Sequence, residues 1–248
     1  MKYVNQLKER NPLVLCLTNY VTTDFVANTL LSIGASPLMS NYIDELEDLL
    51  NISDSLYINI GTLDKDFVNR AIKASQIAKK LGKPIVLDPT GSGASKIRTE
   101  TSRELMQYAD IIKGNASEII SLTENLDHSK GVDSSHSLDV ALVNAKDIVN
   151  KYNNIVIITG SIDYIIAKGN SQINNSGVPI MTKITGMGCA LGAVIAGFTS
   201  IEKSPECMLN AVNYYGKSGE EAFKKCTQIG QFKGYFLNEL NNYGASNV

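Results

Sequence analysis

Gly186, Gly188 and Cys189 stand immediately before a run of small and apolar residues in "MTKITGMGCALGAVIAGF" (181–198). Glycine lets the backbone approach a ligand closely, because no Cβ intervenes. The first turn of a helix offers unpaired N–H groups and the positive end of the helix dipole. Together they suit a phosphate or a developing anion, and a thiol placed there suits a base or an anion partner. The same residues also read as a tight turn into a buried helix, with Cys189 an ordinary buried hydrophobe. The Walker pattern G-x-x-x-x-G-K-[ST] is absent.

Asp88 and Glu118 have the chemistry of magnesium ligands, since a hard cation takes one or two carboxylates and completes its shell with water and phosphate oxygens. Asp88-Pro89 equally suits an ordinary turn, and Glu118 a first-turn helix acid with Asn115 as its cap. "GSGAS" (91–95) has the composition of a phosphate loop or of a plain connector. Lys113, which ends an apolar run, can neutralise phosphate charge. The two histidines, His128 and His136, flank a polar stretch and receive no role; their number excludes a His-rich metal site.

These residues need elements to hold them. "LVLCL" (13–17), "SLYINI" (55–60), "KPIVLDP" (83–89), "ADIIKGN" (109–115) and "NIVIITG" (154–160) read as short buried strands. Between them, 22–34, 64–82, the stretch opening at "ASEIISLT" and 137–152 read as helices, with Gly34 and Gly82 as stops. "DYIIAKG" and "SQINNSG" read as a hairpin turning at Gly169-Asn170, "DHSKGVDSSHS" (127–137) as a surface loop, and everything from 187 onward as helix. Apolar strands alternating with helices imply a mostly parallel sheet covered on both faces, a three-layer α/β/α arrangement. Such sheets bind ligands at the carboxyl ends of their strands, where Asp88, Gly114-Asn115 and Thr159-Gly160 stand.

The chain has 248 residues, 44% hydrophobic and 19% charged, with a net charge of −2. With no long linker, one domain spanning 1–248 is expected. The balanced charge and lack of a basic stripe argue against nucleic acid and anionic membrane as partners. The polar N-terminus and the absence of an 18-residue apolar run argue against a signal or a membrane span. Four cysteines without a C-x-x-C pair suit a reducing cytoplasm. No G-x-G-x-x-G follows the first strand, which argues against a nicotinamide-dependent oxidoreductase.

Six segments in order, "PLVLCLTNYVTTDFVANTLLSIGASPLMS" (12–40), "INIGTL" (58–63), "VLDPTGSGAS" (86–95), "IIKGNASEI" (111–119), "VIITGSIDYI" (156–165) and "PIMTKITGMGCALGAVIAGF" (179–198), together resemble the hydroxyethylthiazole kinase family. The resemblance implies a ribokinase-like α/β fold. It also implies transfer of the γ-phosphoryl of ATP to the hydroxyl of 4-methyl-5-(2-hydroxyethyl)thiazole with Mg²⁺, in a homotrimer whose active sites lie between subunits. Carried over by position, Met39 and Gly186 contact the thiazole, with Asn19 and Asn28 lining the substrate side. Lys113, Thr159 and Asn115 serve ATP, and Asp88 and Glu118 serve magnesium. Gly186 and Gly188 flank the reacting centre, and Cys189 stands where related sugar kinases carry an aspartate base. Lys113 stands for a more usual arginine, which exchanges a planar fork for a point charge. Thr90 and Ser92 vary the usual loop, and Met187 replaces a threonine whose hydroxyl would adjoin the reacting centre. Rival readings are a ribokinase-like kinase for a hydroxymethylpyrimidine or a sugar, and a non-catalytic trimer that binds thiazole or nucleotide.

Overall fold

The computed structural model describes residues 2–123 and 134–243. Strands β1 (Leu13–Leu17), β2 (Ser36–Met39), β3 (Ser55–Asn59), β4 (Ile85–Asp88), β5 (Ile111–Asn115) and β6 (Ile155–Thr159) pair in parallel. The hairpin β7 (Asp163–Ala167) and β8 (Asn170–Asn174) adds two antiparallel strands. The sheet order is β2-β1-β3-β4-β5-β6-β7-β8. The chain leaves β1 for β2 on one side and returns to β3 on the other. A topological switch point therefore lies above the carboxyl ends of β1 and β3, where open α/β sheets take their ligands.

Alternation along each strand feeds two cores. Val14 and Cys16 of β1 join one core with Tyr57, Val86 and Ile111, under helices α1 (Lys2–Arg10), α2 (Thr23–Ile33), α8 (Met187–Thr199), α9 (Pro205–Lys225) and α10 (Ile229–Asn242). Leu15 and Leu17 join the other with Ile58, Leu87 and Ile112. There they lie under α3 (Leu46–Ile52), α4 (Lys65–Lys80), α5 (Lys96–Met106), α6 (Ala116–Ser121) and α7 (Ser134–Tyr152). This is the expected three-layer arrangement.

The caps follow the chemistry of their residues. Asp64 accepts the Phe67 amide at 2.7 Å and opens α4, while Gly34 closes α2 with a left-handed φ of 86°. The hairpin differs from expectation: Asn170 pairs with Ala167, so the turn is Lys168-Gly169 and Asn170 is already strand. Of the stretch 127–137, residues 127–133 lie outside the described residues, His128 among them, and from Ser134 the chain is helix rather than loop.

Candidate active site

Helix α8 begins at the switch point. Its N-cap, Gly186, has φ 93°, and a Cβ there would stand 3.0 Å from Thr22 Cγ2 and 3.1 Å from Phe25 Cδ1. Both the backbone and the space therefore require glycine. Gly188 and Cys189 are the second and third helix residues, and their amides have no acceptor among the described residues. Behind them α8 is buried on every side and packs on β1, β3 and β4. Gly192 meets the Tyr57 ring so closely that an added Cβ would lie 2.7 Å from it.

Lys113 rises from β5 beneath this first turn. Its ammonium is 3.1 Å from Asp88 Oδ2 and 3.1 Å from the Gly188 carbonyl oxygen, and the residue is 4% exposed. Burial alone would lower its pKa, but the Asp88 and then the Glu118 carboxylates outweigh that and hold it above the ordinary lysine value. Lys113 is thus a fixed cation. Asp88 also accepts Thr90 Oγ1 at 2.8 Å and the Tyr57 hydroxyl at 3.2 Å.

Glu118 accepts the Gly91 amide at 2.9 Å and the Asn115 amide at 2.8 Å, while Asn115 Oδ1 accepts the Glu118 amide, a reciprocal capping box on α6. Burial and then the nearby Asp88 charge push the Glu118 pKa up, against the pull of Lys113. Among the described residues no three His, Cys, Asp or Glu side chains cluster to hold a metal. Two carboxylates beside the Lys113 ammonium nonetheless fit a magnesium ion whose shell is mostly water and nucleotide oxygens.

Three residues that sequence reasoning passed over bind the site together. Tyr57 is fully buried; its hydroxyl donates to the Cys189 carbonyl at 2.7 Å or to Asp88, and accepts from Asn59 Nδ2 at 3.1 Å. Burial, then the Asp88 charge, keep its phenol well above the ordinary pKa and hence a donor. Asn59 also donates to Thr90 Oγ1 at 2.9 Å. Arg98 clamps the strand ends by donating to the carbonyls of Ile60, Thr90 and Gly61 at 2.9, 3.1 and 2.9 Å. The available signal was a tyrosine and an asparagine inside the buried strand "SLYINI".

A cavity of about 420 Å³ is lined by Met39, Cys16, Leu17, Thr18, Phe67 and Arg70 among others. A larger one, about 630 Å³, lies at the opposite end of the sheet, walled by the ion pairs Arg10–Asp54, Lys79–Asp110 and Lys203–Asp110, away from this chemistry.

The sequence of the whole chain places this geometry. The Hydroxyethylthiazole kinase family profile matches residues 4–245. The chain belongs to the hydroxyethylthiazole kinase family. It is 43% identical over 242 residues to a hydroxyethylthiazole kinase of Chlamydia felis, covering 96% of this chain and 92% of that one. The structure of a hydroxyethylthiazole kinase protein from Pyrococcus horikoshii superposes with a TM-score of 0.89 at 32% identity, over 97% of this chain and 92% of that one. A ribokinase-like superfamily protein from Enterococcus faecalis shares the fold alone, with a TM-score of 0.68 at 15% identity over 95% and 89% of the two chains.

Within this hydroxyethylthiazole kinase frame several expectations change. The "GSGAS" loop is no phosphate cradle: the amides of Gly91, Ser92, Gly93 and Ala94 go to Glu118, Pro89, Thr99 and Gly91. Ser92 is instead a buried partner of Ser121 at 2.6 Å. Met187 does not face the reacting centre; it is 5% exposed, in the core, with the Tyr215 hydroxyl 3.3 Å from its sulfur. Asn28 donates its amide hydrogens to Asp24 on its own helix at 2.9 and 3.0 Å. Asn19 is in the site but 4% exposed, with its amide hydrogens directed to Asn59 and Cys189 rather than outward. Thr159 and Asn115 stand side by side at the ends of β6 and β5, with the Asn115 carboxamide oxygen committed to the α6 cap.

Proposed function

We propose that this chain transfers the γ-phosphoryl group of ATP to the hydroxyl of 4-methyl-5-(2-hydroxyethyl)thiazole. The observation that carries the reading is the pair of amides at Gly188 and Cys189, without acceptors among the described residues, with the buried Lys113–Asp88 pair directly beneath them. Phosphoryl transfer asks for positioning and charge stabilisation more than covalent chemistry. The amides hold the equatorial oxygens of the migrating group, and Lys113 adds a point charge below. The alcohol oxygen bonds to phosphorus as the bond to ADP breaks; ADP keeps the electron pair, and the alcohol proton passes to the Cys189 sulfur, which enters the step as thiolate and leaves it as thiol.

Magnesium would be held through Asp88 and Glu118, and it supplies charge neutralisation on the phosphates. Thr159, with the exposed end of Asn115 beside it, forms the nucleotide side. Met39, with the apolar wall formed by Cys16, Leu17 and Phe67, takes the thiazole ring. The exposed Tyr20, Val21 and Tyr42 suit a subunit contact that completes a site in a homotrimer. We read residues 1–248 as one kinase domain. Four free thiols suit a cytoplasmic location, and no described helix is long and apolar enough to cross a membrane.

The test is coupled ADP release with the thiazole alcohol as acceptor, run beside hydroxymethylpyrimidine and sugar alcohols. ADP release dependent on the thiazole alcohol is expected; release driven better by another acceptor, or none at all, would overturn the reading. Glu118→Gln is expected to raise the Mg²⁺ concentration for half-maximal rate, and an unchanged titration would take Glu118 out of the metal site.

A further inference from the structure

Asn19 lies at the switch point, at the start of the loop leaving β1, and its orientation is settled by backbone. Its Oδ1 accepts the Thr22 amide at 3.1 Å, so Nδ2 must be the end that faces inward. That nitrogen donates to Asn59 Oδ1 at 2.9 Å and to Cys189 Sγ at 3.3 Å. Asn59 is settled in the same way, since its Oδ1 also accepts the Gly61 amide at 2.9 Å. Its Nδ2 then donates to the Tyr57 hydroxyl, which reaches the Cys189 carbonyl. The result is a closed ring of hydrogen bonds that grips Cys189 by its side chain and its carbonyl at once. In it the sulfur can only accept.

We propose that Asn19 is the positioning residue for the Cys189 sulfur in this reaction: its carboxamide presents a hydrogen to the sulfur and holds a lone pair toward the substrate alcohol. The hydrogen donated by the carboxamide occupies one side of the sulfur and leaves its remaining lone pairs on the other. The alcohol proton then moves to sulfur as the alcohol oxygen bonds to phosphorus, and the donor on the far side of the sulfur keeps it from turning away. Three neighbouring donors are spent on other acceptors. Lys113 lies on the Gly188 carbonyl and Asp88, the Tyr215 hydroxyl lies on the Met187 carbonyl, and Tyr57 lies on the Cys189 carbonyl. Asn19 is therefore the one described side chain that hydrogen-bonds the sulfur. The inference rests on the phosphoryl-transfer reading.

Asn19→Asp is the discriminating variant. One oxygen can still accept the Thr22 amide, but the other faces Asn59 Oδ1 and the sulfur with no hydrogen to give. Cys16, Cys207 and Cys226 are buried and Cys189 is not, so iodoacetamide reports on Cys189. In the nucleotide-free protein at fixed pH, Asn19→Asp should slow alkylation of Cys189 by about tenfold or more. It should lower kcat by up to about tenfold, no further than loss of the sulfur itself, while leaving KM for the thiazole alcohol within about twofold. In a Cys189→Ala background the same change should cost less than about twofold. Alkylation at the wild-type rate, a rise in KM at unchanged kcat, or an equal loss without the sulfur would each overturn the proposal. Asn19→Ser, whose hydroxyl is too short to reach the sulfur, makes the same test if Asn19→Asp fails to fold. Alkylation needs no turnover, so it judges Asn19 even if wild type releases no ADP with the thiazole alcohol, a result that would sink the proposed function instead.

Discussion

At residue 186 two penalties coincide, a left-handed φ and contact with Thr22 and Phe25. Gly186→Val should therefore displace the amides of the α8 mouth and lower kcat/KM by about 100-fold or more. Cys189→Ser should cost only about tenfold and Cys189→Asp should stay active, because a loose transition state keeps the alcohol proton until late. Steady-state kinetics of the three variants rank these roles; equal losses for Gly186→Val and Cys189→Ser would contradict the amide role. The glycines were legible in the sequence because bare backbone before a buried helix has few uses. Asn19 was legible only as a position, since nothing in a linear sequence says that Thr22 would fix which end of its amide faces the sulfur. Met187 misled for a related reason: adjacency in sequence to a reacting centre does not set the direction of a helix side chain.

Among the elements, β4 and β5 matter most, because their parallel pairing brings Asp88 and Lys113 together across the sheet. Asp88→Asn would leave a buried ammonium without its carboxylate. A loss of about 3 kcal/mol or more in urea unfolding is expected, with activity abolished in the folded fraction. Gly192→Ala should cost about 1–3 kcal/mol by forcing the Tyr57 ring back, read as a lowered Tm. The long elements were legible because apolar spacing and caps agree, as in α4 between Asp64 and its closing lysines. Shorter ones were not. β2 carries Pro37, tolerated because β2 is an edge strand. α5 buries Thr99, Thr101 and Ser102, so its inward face does not look apolar in sequence. α1 and α3 have nine and seven residues, too few for a periodic pattern to stand out.

For the molecule as a whole, the sheet order rather than any single motif explains why residues 19, 57, 88, 113 and 189 meet. Fold class was legible from alternation, whereas the position of the switch point was not, because strand order is not written in strand sequence. Global stability should also carry a signature of Asp163, which accepts the Gly160 amide and Asn174 Nδ2 and whose pKa burial raises against both bonds. A raised carboxylate pKa means that the native state holds a proton that the unfolded chain gives up near 3.8. That contribution is present below the unfolded pKa and is lost as pH rises through the folded one. Asp163→Asn should therefore gain on wild type as pH increases from about 4 toward neutrality, measured by urea midpoints, and a flat difference would refute it.

The nesting of Tyr57 against Gly192 also constrains descent. Because a methyl group at 192 would begin where the phenol ring lies, and because that phenol steadies both Cys189 and Asp88, change at either position alone weakens the molecule. A lineage that enlarged residue 192 would first have to trim residue 57 and pass through a weakened ancestor. Paired change, or none, is the pattern to look for among its kin.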